Sequence, residues 1–367
     1  MPALEAISIR GFKSISEMKD VQLGPINVLI GPNGSGKSNF IEVFSFLHAI
    51  REGSLQTYVT KSGGADKLLH FGAKTTSDIN ITIKFAEHQN GYRVKLISAR
   101  GDQLLPAGEE VWYWRKTFAK PYTLVLSADG SEAGISRSKQ GKVAEYVRAH
   151  LDGWRKYHFH DTGPGSPMKV TADVNDNRFL RSDGSNIASF LFFLKEKHPS
   201  AYSLIRRAVQ RMAPFFDDFI LEPRRLNPDK IILEWRHKGS DSYFDAGAFS
   251  DGTLRFIALA TLFLQPAEFR PSVVLVDEPE LGLHPYAIGL LASLIKASSS
   301  VTQVIVSTQS PHLLDHFQPE DVLVANRSSG GTQLSRLEPS KLAIWLQDYS
   351  LGQLWEKNEI GGRPSAE

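Results

Sequence analysis

The chain has 367 residues, 41% of them apolar and 22% charged, with 42 basic against 40 acidic side chains and a net charge of +2. This is the composition of a globular protein long enough for one large α/β unit or two modest domains, and it excludes a global polyanion-binding charge while leaving local basic patches open. The absence of cysteine excludes disulfides and thiolate metal sites, and MPALEAISIRGFKS lacks the apolar core of a signal peptide.

No apolar run approaches the roughly 18 residues of a membrane span, so a cytoplasmic protein with no membrane attachment is expected. In chain order, ALEAISIRGF and INVLI read as strands separated by polar turn residues. The helix SNFIEVFSFLHAI follows, its apolar residues spaced by three and four. INITIKF (79–85), YRVKLIS (92–98) and YTLVLS (122–127) alternate as antiparallel strands do. From about 140 to 215 the pattern is helical, in KVAEYVRAHLDGW and NIASFLFFLKEKHPSAYSLIRRAVQRM. DFILE and KIILEW predict two more strands, and a helix is expected from Thr253 to Leu264. The last third alternates strand SVVLVDE, a helix from Pro285 to Ala297, strand TQVIVST, a short helix and strand DVLVA, which predicts a parallel sheet. The tail after Trp355 is polar, contains Gly and Pro, and is expected to fray.

GPNGSGKS, residues 31–38, fits G-x-x-x-x-G-K-[ST] in full. Phosphates need a concave run of backbone N–H groups, and glycine lets a chain wrap that tightly. Gly31, Asn33, Gly34, Ser35 and Gly36 would form the cradle. Lys37 would neutralise the β/γ oxygens, Ser38 would ligate Mg²⁺, and the following helix would aim its positive end at the phosphates of ATP. A buried strand before the motif and an amphipathic helix after it supply the expected context.

VVLVDEPE (273–280) is a near-continuous apolar run ending in carboxylates. A buried parallel strand carries such residues to its C-terminal edge, where α/β ligands sit. Asp277 is expected to hold Mg²⁺, and Glu278 to orient or deprotonate the attacking water.

Together these pieces resemble the ABC-type ATPase heads of the SMC/RecF/OLD group, especially the short bacterial AAA family "predicted ATPase" proteins. IRGFKS (9–14) is similar to that group's N-terminal strand motif, with Gly11 where Asn is usual, and places Arg10 and Lys13 among the nucleotide-binding residues. GPNGSGKSN carries Asn39 in the group's spelling; DEPELGLHP (277–285) resembles its Walker B and D-loop run; FSDGTLR (249–255) resembles its signature stretch, with Asp251 where transporter heads have Gly. The resemblance implies a P-loop NTPase with an ABC/SMC-like head: a mixed or parallel sheet core with an antiparallel β subdomain, and an inserted, mainly helical signature lobe. The nucleotide-binding lobe would comprise residues 1–139 and 265–348, the signature lobe 140–264 and the tail 349–367. It also implies a head-to-tail homodimer around two ATP molecules, in which Ser250 and Gly252 of one copy contact the γ-phosphate held by Lys37 of the other. A Ser hydroxyl and exposed N–H groups at a helix start suit an anion. Arg255 reads equally as a phosphate ligand or a solvent-facing side chain.

Gln309, in STQSPH (307–312), occupies the place of the transporter heads' γ-phosphate-sensing His. An amide cannot change charge near neutral pH, which predicts slow hydrolysis, with His312 nearby. Gln56 is one candidate for the Q-loop glutamine. In YHFHDTG (157–163), His158, His160 and Asp161 read as metal ligands, as a lobe-junction or nucleotide-sensing segment, or as alternating faces of a packed strand with Tyr157 and Phe159. LRSDGSNIASFLFFL (180–194) reads as a helix capped by Ser185 or Asn186, or as a segment near the nucleotide. Arg206, Arg207, Arg211, Arg224, Arg225 and Lys230 form either a DNA-tracking patch or a solvated face.

The insert between the two nucleotide motifs has no heptads, so a long coiled-coil tether is excluded. The residues after Glu280 are needed to complete the sheet, which leaves no room for the acidic nuclease domain of OLD-type proteins; cleavage would come from a separate nuclease or effector. The leading expectation is an ATP-driven dimerising switch acting on duplex DNA or a partner protein, as in repair or recombination. The alternative is the ATPase subunit of a phage-defence or toxin system.

Overall fold

The computed structural model describes residues 4–85, 89–128, 130–137, 141–328 and 330–362. They fall into two compact units, Met1–Arg155 with Gln318–Glu367, and Lys156–Phe317.

In the first unit, period-two burial builds an antiparallel sheet. Along Asp78–Phe85 the side chains of Ile79, Ile81, Ile83 and Phe85 are fully buried, so one face of the strand is core. The spatial strand order is Ile15–Gln22, Leu4–Phe12, Asp78–Phe85, Asn90–Ala99, Gln103–Tyr113, Tyr122–Val125. The strand Gln103–Tyr113 was not foreseen. Pro106 and Gly108 interrupt its alternation, and they fall where the pairing register shifts opposite Lys95 and Leu96; a bulge accommodates both residue types. Strand Ile26–Ile30 is buried along its whole length and runs parallel to Val322–Ser328, which pairs antiparallel with Gly331–Arg336. Helix Lys37–Glu52 buries Phe40, Phe44, Phe46 and Leu47 and ends on Gly53 in a left-handed conformation, φ 71°.

The tail does not fray through residue 362. Helix Leu351–Glu356 buries Leu354 and Trp355. The Trp355 indole N–H donates to the Gly362 carbonyl (3.2 Å), and the Gly362 N–H donates to Asn326 Oδ1 (3.0 Å). A Cβ on Gly362 would lie 3.4 Å from the Cα of Gly31, so the tail packs directly against the start of the phosphate loop. Residues 363–367 lie outside the described residues. Trp355→Ala is expected to cost about 3–5 kcal/mol, the usual range for emptying a buried aromatic site, seen as a lowered midpoint in urea unfolding; an unchanged midpoint would mean that the tail is not anchored there.

In the second unit, strands Val273–Asp277 and Gln303–Ser307 are parallel and in register from Val273↔Gln303 to Asp277↔Ser307. Helix Pro285–Ser298 makes the crossover between them. Helix Asp251–Leu264 is buried at every position from Thr253 to Phe263, the pattern of a fully enclosed helix. The helical pattern over 186–212 forms two helices, Ile187–Lys197 and Pro199–Met212, because proline disfavours helical backbone at the residue before it and suits a first turn. KIILEW is likewise split: Lys230–Ile231 pairs with Ala172–Asp173, and Glu234–His237 joins Phe216–Ile220 and Tyr243–Asp245 in a three-stranded sheet. Among the described residues no helix is long and apolar enough to cross a membrane.

Candidate nucleotide site

The phosphate loop lies in the first unit, between strand Ile26–Ile30 and helix Lys37–Glu52. Gly31, Gly34 and Gly36 have φ of 147°, 79° and 100°, a region costly to other residues. Two of these glycines are also enforced by their surroundings. A Cβ on Gly31 would come within 2.4 Å of the Ala325 carbonyl, and one on Gly36 within 2.0 Å of Thr332 Oγ1. A Cβ on Gly34 would meet nothing within 4 Å; this is the open rim of the loop. The buried Lys37 ammonium donates to the carbonyls of Gly31 (2.6 Å) and Pro32 (3.1 Å), which hold it over the loop.

Ser14 of IRGFKS and Asn39 brace the loop. Asn39 Nδ2 donates to Ser14 Oγ (2.7 Å), which also accepts from Thr332 Oγ1 (2.7 Å). Lys13 pairs with Glu42, which also accepts from Tyr58 Oη. Lys13 lines a groove of about 620 Å³ with Ser14, Lys67, Phe71 and Arg327, and Arg327 Nη1 reaches the Gly34 carbonyl at 3.4 Å. Arg10 is placed differently: it pairs with Asp78 at 2.5 Å and lines another groove, with Glu17, Lys19 and Lys84; no phosphate-loop residue lines either groove. Gln56 donates to the carbonyls of Leu104 (2.7 Å), in the strand Gln103–Tyr113, and Ser131 (2.9 Å), tying a strand and a turn of its own unit together.

The acidic strand lies in the second unit. The Asp277 carboxylate accepts from Ser307 Oγ, its in-register partner. Glu278 follows with φ 43°. A left-handed glutamate costs on the order of 1–3 kcal/mol and persists where the surroundings impose it, commonly at working sites. Its N–H donates to the Ser307 carbonyl (2.9 Å), and its carboxylate accepts from the Gln309 amide. Glu280 is buried; Thr308 Oγ1 (2.5 Å) and the Gln309 N–H (3.2 Å) donate to it. Burial pushes its carboxyl above the usual range, against the pull of those hydrogen bonds. Glu280, Ser307 and Thr308 were not singled out from sequence, where a buried carboxyl in DEPE looks the same as a solvated one. His312 is exposed on the short helix Pro311–Leu314.

FSDGTLR starts helix Asp251–Leu264. Ser250 is its cap, accepting from the Thr253 N–H (3.2 Å) and sharing a hydrogen bond with Thr253 Oγ1 (2.8 Å). A Cβ on Gly252 would meet the Gly282 carbonyl oxygen at 2.3 Å, so this glycine lets the helix start touch the D-loop backbone. Arg255 faces neither phosphate nor solvent, contrary to both expectations. It is buried, and its guanidinium donates to the carbonyls of Phe159 (3.0 Å), His160 (3.1 Å) and Leu281. It therefore clamps the 159–160 segment and the D-loop to the signature helix.

In 157–163 the alternating-face reading describes the structure: Tyr157 and Phe159 are buried, while His158 and His160 are exposed. Among the described residues no group of three or more His, Asp or Glu is placed to hold a metal ion. Asn186 stands at the cap position, but its side chain turns away from the helix. It accepts from the Arg181 N–H (2.9 Å) and donates to the carbonyls of Asp176 (2.9 Å) and Phe179 (2.8 Å). Ser185 makes no helix cap either; its N–H donates to Asp183 Oδ1 (3.0 Å). The basic cluster is partly neutralised: Arg206 pairs with Asp217 and Asp218, and Lys230 with Asp173. Arg207, Arg211, Arg224 and Arg225 are exposed.

A family model described as "AAA domain, putative AbiEii toxin, Type IV TA system" matches residues 26–315. The fold is similar to that of an SMC head bound to the C-winged helix domain of ScpA (TM-score 0.54, 18% identity, 94% of this chain and 100% of that one). It is similar also to the Smc head domain with an extended coiled coil, bound to the C-terminal domain of ScpA, from Pyrococcus furiosus (TM-score 0.54, 16% identity, 95% and 99%). A third likeness is the Smc head domain with a coiled coil and joint from Pyrococcus yayanosii (TM-score 0.53, 12% identity, 95% and 99%). The chain thus has the P-loop fold of SMC heads, as expected from its motifs.

Proposed function

The chain belongs to the family described as "AAA domain, putative AbiEii toxin, Type IV TA system", and from that membership we propose that it is a cytoplasmic, Mg²⁺-dependent ATPase that dimerises head to tail around ATP. Gly31, Asn33, Gly34, Ser35, Gly36 and Lys37 bind the phosphates, with Ser38 and Asn39 at the helix start. Lys13, in the strand motif before the loop, is a further nucleotide-binding residue. Ser38 and Asp277 are hard oxygen donors of the kind Mg²⁺ takes, and the half-buried Asp277 carboxylate is oriented by Ser307. When bound, the ion neutralises charge on the β/γ-oxygens. Glu278 accepts the proton of the attacking water, and Gln309 orients that carboxylate. Ser250 and Gly252 contact the γ-phosphate held by the partner copy. Arg10, engaged with Asp78, supports the strand that leads to Lys13.

The observation that carries hydrolysis is the Glu278–Gln309 pair, a backbone-strained carboxylate held by an amide at the ends of two adjacent parallel strands. The dimer acts as a switch on duplex DNA or a protein. The family description favours a second reading, in which the ATPase belongs to a toxin or phage-defence system and works with a separate nuclease or effector. Steady-state phosphate release tests the core of this proposal. Turnover of Mg-ATP is expected to fall at least about 100-fold with EDTA or with Lys37→Ala, since both remove charge that stabilises the transferring phosphoryl group. Turnover that survives both would overturn the assignment.

A further inference from the structure

The hairpin of strands Gln103–Tyr113 and Tyr122–Val125 lies outside the nucleotide machinery, at the edge of the antiparallel sheet. Its inner face is covered at the Val111↔Leu124 pair and emerges at the next one, Tyr113↔Tyr122. Beyond that point the ribbon carries a concentration of exposed rings: Tyr113 (39% exposed), Trp114 (36%), Phe118 (62%) and Tyr122 (61%). The Trp114 indole N–H donates to the Phe118 carbonyl (2.9 Å), and the Phe118 N–H donates to the Arg115 carbonyl (2.8 Å), so the apex is a closed turn. Interleaved with the rings are the exposed cations Arg115, Lys116 and Lys120, and residues 111–128 contain no carboxylate.

We propose that this hairpin binds single-stranded nucleic acid, its rings stacking on splayed bases and its three cations meeting the phosphates. Rings with open faces suit unpaired bases, whose π-faces a duplex would hide. A duplex would need the cations alone. A lipid bilayer would take the rings, but Arg115 and Lys116 share the apical turn with Phe118 and would have to enter the hydrocarbon with it, which is costly for charged side chains. The near-zero net charge of the whole chain makes this basic, acid-free segment a local feature.

Fluorescence anisotropy of the full chain with a labelled 20-nucleotide oligo-dT tests the proposal, with a 20-base-pair duplex and 4:1 phosphatidylcholine–phosphatidylserine vesicles as the other arms. The oligonucleotide is expected to bind in preference to both. Phe118→Ala with Tyr122→Ala should weaken binding by roughly 10-fold per ring while leaving its salt dependence unchanged. Arg115→Ala with Lys116→Ala and Lys120→Ala should flatten the log–log salt slope by about two units, near 0.7 per phosphate contact on a single strand. Both variants alter exposed side chains, and an unchanged ATP turnover shows that they are folded. Absence of oligonucleotide binding by the wild type, binding untouched by either variant, or equal or better binding to the duplex or the vesicles would each overturn the proposal.

Discussion

Glu278→Gln is expected to lower ATP turnover by about 10² to 10⁴-fold, the usual contribution of a positioned general base, while ATP remains bound. It should also turn the ATP complex into a stable dimer on size-exclusion. The substitution is nearly isosteric. The left-handed backbone at 278 is no harder for Gln than for Glu, and the Ser307 carbonyl still receives the residue's N–H. What disappears is the negative charge and the basic oxygen proposed to take a proton from water, while an amide oxygen can still accept from Gln309. If closure around ATP precedes hydrolysis, blocking the chemistry accumulates the closed state. A variant that elutes as a monomer in Mg-ATP would sink the head-to-tail reading, and one that hydrolyses at the wild-type rate would remove Glu278 from the mechanism.

Gly252→Ala should abolish that ATP-driven dimer without abolishing ATP binding by each copy. The new Cβ would sit 2.3 Å from the Gly282 carbonyl oxygen, a backbone atom that cannot rotate away. Inserting a methyl group into such a contact costs about 1–3 kcal/mol or forces a shift. The helix cannot move easily, because it is buried from Thr253 to Phe263 and held by Arg255. The D-loop is tied to the same arginine through Leu281. The distortion therefore falls on the helix start that carries Ser250. Lys37 and its loop belong to the other unit, so nucleotide titration should still show binding. Size-exclusion of Glu278→Gln with Gly252→Ala in Mg-ATP decides the matter; dimerisation as strong as that of Glu278→Gln alone would refute a role in trans. Should the alanine variant unfold, Ser250→Ala carries the same test, since it removes the hydroxyl at a cap cost of about 1 kcal/mol.

The parts of the site that were legible in sequence are those set by local geometry. GPNGSGKS announces itself because a loop wrapping phosphate needs positive φ, and glycine supplies it at 31, 34 and 36. VVLVDE reads as a buried strand delivering carboxylates to its end, and the structure places Asp277 and Glu278 there. Ser250 reads as a cap because capping is decided within three residues.

The remaining features were decided by residues far apart in the chain. Asn186 could cap its own helix, but the loop at 176–181 offered three backbone partners and took the side chain instead. The strand Gln103–Tyr113 takes up its Pro and Gly in a bulge of its own against Asn90–Ala99, and Asn326 and Trp355 hold the polar tail at Gly362. Arg255 looked like a phosphate ligand or a surface charge; three carbonyls, two of them nearly a hundred positions away, made it an internal clamp. Glu280 and Glu278 are both glutamates of one short motif, yet one is buried against Thr308 and the other held by Gln309. Glycine and cap positions were readable because their conformational demand is local; the duties of Arg255, Glu280 and Asn186 were settled only when packing removed water and left particular backbone groups as their partners.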